Sequence, residues 1–222
     1  MKVEYVFEFA DGKRMQYQID LLRSSEAEEE RKAAGEEWTF LKHCKCSNCP
    51  LSSSHVYCPV ALDIEGVVKD FKSQPAFQKV TVTVLTPERS YLKRTSLEEG
   101  LRSMLGLIMA TSRCPILGEL KPMAMQHMPF SSGDEFITRS ASTYLLQQYF
   151  VMRAGKTPDW EMKGLVERNK QLQLVNQALW QRIHTVCESD SNLKALLSFF
   201  SMASSVSFSL ESQLQKVKAH LE

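Results

Sequence analysis

The sequence predicts an α+β fold: two antiparallel β-hairpins forming a small sheet, packed by helices, with a helical C-terminal third. Three observations predict it. Two pairs of short segments with period-two hydrophobicity flank turn signals, Asp11-Gly12 in the first and Pro87 in the second. Ser-x-x-Glu capping boxes at Ser96–Glu99 and Ser132–Glu135 open runs of helical periodicity. Beyond Thr157, leucines recur at helical spacing. The chain has 222 residues, 43% of them hydrophobic, enough for a proper core. The expected organisation is an α+β metal-binding domain over 1–155 and a helical extension over 156–222 packed on it, or one domain that includes both.

Residues 3–9 (VEYVFEF) and 15–21 (MQYQIDL) make the first hairpin, and the polar, acid-rich stretch 23–37 follows as a solvated helix or linker. In PVALDIEGVVKDF, Val60, Ile64, Val67, Val68 and Phe71 share one helical face, and Pro59 suits the first helical position. KVTVTVLT and RSYLKR form the second hairpin. The helix LEEGLRSMLGLIMA is apolar on most faces, which places it at the centre of the fold, and it ends at SRCP with Cys114. The Met-rich segment KPMAMQHMPF reads as a loop. The helix after Ser132 runs to about Phe150, with Phe136, Ser140, Tyr144, Leu145 and Tyr149 as its inner face. Thr157-Pro158 opens the next helix. There Leu165, Leu172, Leu179 and Val186 recur every seven residues with Val175 and Ile183 between them, the pattern of an antiparallel packing helix. Asn192 to Leu221 reads as one or two more helices around the joint SMASSVSFS.

A net charge of +1 supplies no field that would steer the chain to nucleic acid or a membrane surface. The opening MKVEYVFEFADG lacks an apolar signal core, and the greasiest run, SMLGLIMA, falls well short of the roughly 20 residues of a spanning helix. The expectation is a cytoplasmic protein whose thiols stay reduced. That favours a metal or redox site over a disulfide framework.

Four of the 6 cysteines crowd into CKCSNCP and HVYCP, residues 44–50 and 55–59. Cys46-x-x-Cys49 has the spacing of a metal knuckle, in which a tight turn lets two sulfurs reach one ion. Cys58, at the start of a helix, supplies a third ligand where the positive end of the helix dipole favours thiolate. Cys44 and Cys114 compete to be the fourth. Cys114 is favoured because it shares the Cys-Pro pattern of Cys49-Pro50 and Cys58-Pro59 and would pin the loop to the core. The competing reading is a set of reduced cysteines in a packed loop. Cys187 reads as a small buried hydrophobe. Zinc and an iron–sulfur cluster both accept four thiolates. The single residue between Cys44 and Cys46 departs from the C-x2-C-x2-C run of ferredoxins, so zinc leads.

C-x-x-C-P-L, C-P-x-A-L, GLRSMLGLIMATSRCP, KPMAMQHMPF and YLLQQYF together resemble an uncharacterised bacterial family, a domain of unknown function. The resemblance runs from the first hairpin to about residue 185 and is most specific from Cys46 to Phe130. It implies that the family's cysteines are Cys46, Cys49, Cys58 and Cys114 and that its H-x-P-F histidine is His127. Cys44 is particular to this sequence. Arg113 stands where the family has glycine, and Lys121 where it has arginine. No activity comes with the resemblance.

No nucleophile elbow, phosphate-binding glycine loop, dinucleotide fingerprint or HExxH helix is present. His127 is the best lone candidate for a ligand or base, against the simpler reading of a histidine bonded within a packed loop. His43 and His55 are possible substitutes for a thiolate. Arg89, Lys93, Arg94 and Arg102, interleaved with Tyr91, make a local basic patch that Glu88, Glu98 and Glu99 offset, so a solvated sheet face is expected there. Met123, Met125 and Met128 read as core filling or an adaptable surface. The expected function is therefore a structural four-cysteine zinc site in a binding or regulatory module, with an unidentified protein or small molecule as partner. The alternative is an enzyme or redox sensor that holds an iron–sulfur cluster or catalytic zinc on the same cysteines, with His127 nearby.

Overall fold

Strand β1 (Lys2–Phe9) is the seam of the molecule. It pairs antiparallel with β2 (Arg14–Asp20) on one side and with β3 (Lys79–Leu85) on the other. Strand β4 (Ser90–Ser96) completes an antiparallel sheet of order β2-β1-β3-β4. The structure, a computed structural model, describes residues 1–23 and 35–186 together with Ser212, Leu214, Gln215 and Lys218. Alternation sets the faces: Val3, Tyr5, Phe7 and Phe9 of β1 and Val80, Val82 and Val84 of β3 are buried on one side. The register Tyr5↔Val84, Phe7↔Val82 and Phe9↔Val80 lines them up across the strands. Gly12 turns the first hairpin at φ 84°, a conformation that costs glycine little.

Helices α1 (Pro59–Phe71) and α2 (Leu97–Ala110) cover the apolar face. In α1, Val60, Ile64, Val67, Val68 and Phe71 are buried as their spacing predicts, and the Phe71 ring lies 5.5 Å from that of Phe7. Helix α2 approaches the sheet closely at Gly100, where an added Cβ would stand 2.8 Å from both Phe7 and Val82. Its cap is half a capping box. Ser96 accepts from the Glu99 N–H, but the Glu99 carboxylate turns to Lys93 and Thr95 on β4 instead of returning to the Ser96 N–H.

The Met-rich segment is not wholly a loop. A 3-10 turn (Leu117–Leu120) runs into a short helix, α3 (Lys121–Ala124), with Pro122 in its first turn. Helix α4 (Gly133–Arg153) starts at a full capping box on Ser132 and Glu135. Its buried face is Ile137, Ser140, Ala141 and Tyr144, not the full expected stripe. Tyr149 is exposed, because the last turns project beyond the core and carry Leu146, Phe150 and Met152 into solvent as well.

Helix α5 (Lys163–Val186) begins five residues after Pro158 rather than at it. Asp159 is the cause: its carboxylate accepts from the Gly164 N–H at 2.7 Å and from the Tyr144 hydroxyl at 2.8 Å, and Met162 takes a left-handed φ of 56° before the first turn. Leu172, Val175, Leu179 and Ile183 of α5 join the same apolar core as the sheet, while Leu165 packs with Ile137, Ala141 and Tyr144 of α4. Most of the acid-rich stretch, Cys187 and nearly all of the expected C-terminal helices lie outside the described residues.

Candidate metal centre

The cysteine loop is closed at its base. Phe40 and Tyr57 form an antiparallel bridge and stack with ring centroids 4.9 Å apart. The Leu41 N–H donates to Val56 O and the Cys58 N–H to Thr39 O, each at 2.8 Å. Helix α5 grips the same loop from the side. Arg182, 1% exposed, donates to the carbonyls of Trp38 (2.8 Å), Phe40 (2.6 Å) and Leu41 (2.9 Å). Asn48 donates to the Gln171 carbonyl at 3.0 Å, and His43 bonds Thr185 Oγ1 at 3.1 Å.

This frame puts four thiols in one electrostatic neighbourhood. The Cys49 N–H donates to Cys46 O at 3.1 Å, a tight turn of the kind a CxxC pair needs. Burial pushes the Cys46 thiol up to about 12, and negative charge on Cys58, Cys114 and Cys49 pushes it the same way, while Arg182 opposes. Burial also raises the Cys58 thiol, against the Arg182 cation and the N–H groups of Ala61 and Val60, with Cys49 adding to the rise. Those N–H groups lie at the start of α1 and favour thiolate through their dipoles without making a geometric cap bond. Burial raises Cys114 too, opposed by the N–H groups of Leu117 and Ile116, with Cys58 and Cys49 adding to the rise. Cys44 sits at a left-handed φ of 49° on the loop.

Among the described residues, no three His, Cys, Asp or Glu side chains are gathered closely enough to hold an ion as they stand. The donor chemistry nonetheless suits a thiolate metal. Four sulfurs come from a knuckle turn, a helix start and the turn after α2, with backbone N–H groups directed at two of them. Among the described residues no carboxylate pairs with Arg182, whose guanidinium is held by the three loop carbonyls and lowers the Cys46 and Cys58 thiols. Arg182 escapes the sequence reading, although a signal exists: it falls seven residues after Val175, a cation on an apolar helical stripe.

His127 belongs to a different constellation. Its Nε2 lies 2.6 Å from the hydroxyl of Tyr5, which is also 2.8 Å from Ser103 Oγ; Ser103 Oγ in turn accepts from the Phe130 N–H at 3.1 Å. Burial, with the Arg139 charge, lowers the His127 pKa to about 3, so the imidazole is neutral at pH 7. His55 is exposed and contacts Ser52.

The basic residues of the second hairpin do not form one stripe. Strand alternation sends Arg94 to the face opposite Lys93, and both Lys93 and Arg102 are paired with Glu99, at 2.7 and 3.7 Å.

The fold and this site define an α+β protein in which a thiol-bearing loop is clamped between a sheet-packed helix and a long C-terminal helix. The chain belongs to the family described as a domain of unknown function (DUF6901), whose profile matches residues 3–222. The match extends past the region where the sequence motifs are most specific and takes in α5. No curated protein and no solved structure matches the chain. No helix among the described residues is long and apolar enough to cross a membrane.

Proposed function

We propose that Cys46, Cys49, Cys58 and Cys114 hold one structural Zn2+ in a cytoplasmic protein that serves as a binding or regulatory module. The observation that carries this reading is the mutual influence of four thiols beside the buried Arg182, which pairs with no carboxylate among the described residues. A four-thiolate zinc carries net negative charge, which the Arg182 cation beside it would offset, in addition to its bonds to the loop carbonyls.

Zinc supplies cross-linking here: it ties the loop to α1 and to the end of α2. Ligation asks the sulfurs to draw in, and the Cys46–Cys49 turn is only half-buried. Arg182 and the bonds of Asn48 and His43 to α5 keep the loop in place on the core side. Four protein ligands leave no open coordination position, which suits a structural rather than a catalytic ion.

Cobalt substitution tests the reading. Protein refolded with Co2+ gives the intense visible bands and sulfur charge-transfer absorption of a tetrahedral thiolate site. A weak octahedral spectrum would overturn it. A brown protein carrying iron and sulfide as isolated would hand the same four cysteines to a cluster, and with it a redox role.

A further inference from the structure

A cavity of about 110 Å³ lies between α2, the 117–130 segment, α4 and α5, well defined by Leu107, Leu117, Phe136 and Leu172. An engineered apolar cavity of about 150 Å³ accepts benzene, so this smaller but open chamber takes a substituted ring only with part of it in the mouth. The exposed Met128 stands at its rim. Two asparagines one heptad apart on α5 also line it, Asn169 and Asn176, 3% and 4% exposed. Each leaves a buried polar atom without a protein partner, Nδ2 of Asn169 and Oδ1 of Asn176. Such an atom costs about 1–3 kcal/mol unless something bonds it, so two on residues that line one cavity mark a polar end of an apolar chamber.

We propose that this cavity is a small-molecule site for a compact apolar compound bearing one primary amide or hydroxyl. The donor on Asn169 and the acceptor on Asn176 together ask for a head group that both accepts and donates. Amides and alcohols do both; a carboxylate only accepts, and an ammonium only donates. The charged groups at the wall are already engaged. Arg139 donates to Ser131 Oγ at 3.2 Å and to Met123 O at 3.1 Å, and Arg102 pairs with Glu99. No acidic side chain among the described residues lines the cavity, so a cationic ligand meets positive charge there. Leu107, Leu117 and Leu172 receive the apolar body.

The inference goes beyond the zinc reading and does not depend on it. The test is titration of the full chain, as purified, with benzamide, benzoate and benzylamine, followed by protein NMR and thermal shift. Benzamide binds saturably and raises the melting temperature; benzoate binds more weakly and benzylammonium does not bind. Asn169→Leu and Asn176→Leu each weaken benzamide by at least about tenfold while the ligand-free melting temperature holds or rises, since each removes an unpaired polar atom. A marked loss of ligand-free stability in both variants would make the asparagines structural and overturn the proposal. So would an absence of benzamide binding, equal binding in wild type and variants, or tighter benzoate binding that ignores the asparagines. Cobalt spectra of the same variants stay unchanged, so failure here is distinct from failure of the metal reading.

Discussion

Replacing Arg182 with methionine removes the cation that joins α5 to the base of the cysteine loop. The structure sets the magnitude. Three bonds from the guanidinium reach the carbonyls of Trp38, Phe40 and Leu41 at 2.6 to 2.9 Å, all buried or nearly so. Hydrogen bonds to charged groups contribute about 1.5–3 kcal/mol each, or about 5–9 kcal/mol for three. Relief from burying the guanidinium offsets several kcal/mol of that, because methionine packs without a charge to desolvate. The net expectation is a loss of about 3–5 kcal/mol, in the range found when one partner of a buried polar network is removed. Urea unfolding at pH 7 reads it as a lower midpoint with an unchanged m value, since the surface exposed on unfolding stays the same. Zinc is retained with weaker affinity, because the four sulfurs remain and only their counter-charge is gone. A loss below about 1 kcal/mol would refute the reasoning, since the three carbonyls would then have found other partners.

Gly100→Ala improves helix propensity by about 1 kcal/mol but drives a methyl into Phe7 and Val82. The net is a destabilisation of about 1–2 kcal/mol, seen as a lower melting temperature; an unchanged or higher one would mean that the sheet–helix spacing relaxes freely. His127 carries a pH signature. Its folded pKa of about 3 lies below its ordinary 6.5, so the unfolded chain takes up the proton first. The stability it supports is complete above about pH 6.5 and is lost as the pH falls toward 3, by a few kcal/mol in all. His127→Gln flattens that part of the stability profile and leaves metal content unchanged; loss of metal in the variant would make His127 a ligand after all.

The sheet and the two helices on it were legible because their signals are local. Alternation in VEYVFEF and KVTVTVL, and the one-sided stripe of α1, need no knowledge of the rest of the chain. The start of α5 was not legible, because it depends on Asp159 reaching Tyr144 and Gly164, a tertiary choice that overrides the helix-start preference of Pro158. The inner face of α4 was read too broadly for a similar reason: periodicity gives a stripe but not the point where the helix leaves the core. At the candidate site, the residue types and their spacing singled out Cys46, Cys49, Cys58 and Cys114. Nothing local says that Arg182, 68 residues after Cys114 and more than a hundred after the other three, acts on Cys46 and Cys58. Asn169 and Asn176 carried a signal of the same kind, each four residues after a buried leucine on one helical face.

The most direct test of the central claim is elemental analysis of wild type, Cys114→Ser and Cys44→Ser, each purified without chelator. About one zinc per chain is expected in the wild type and in Cys44→Ser, with loss of that zinc in Cys114→Ser. Cys114 closes a loop of some sixty residues back to the knuckle, so its variant should also melt at a lower temperature while still folding on its own core. A wild-type protein without metal, or zinc that survives in Cys114→Ser and is lost in Cys44→Ser, would contradict it.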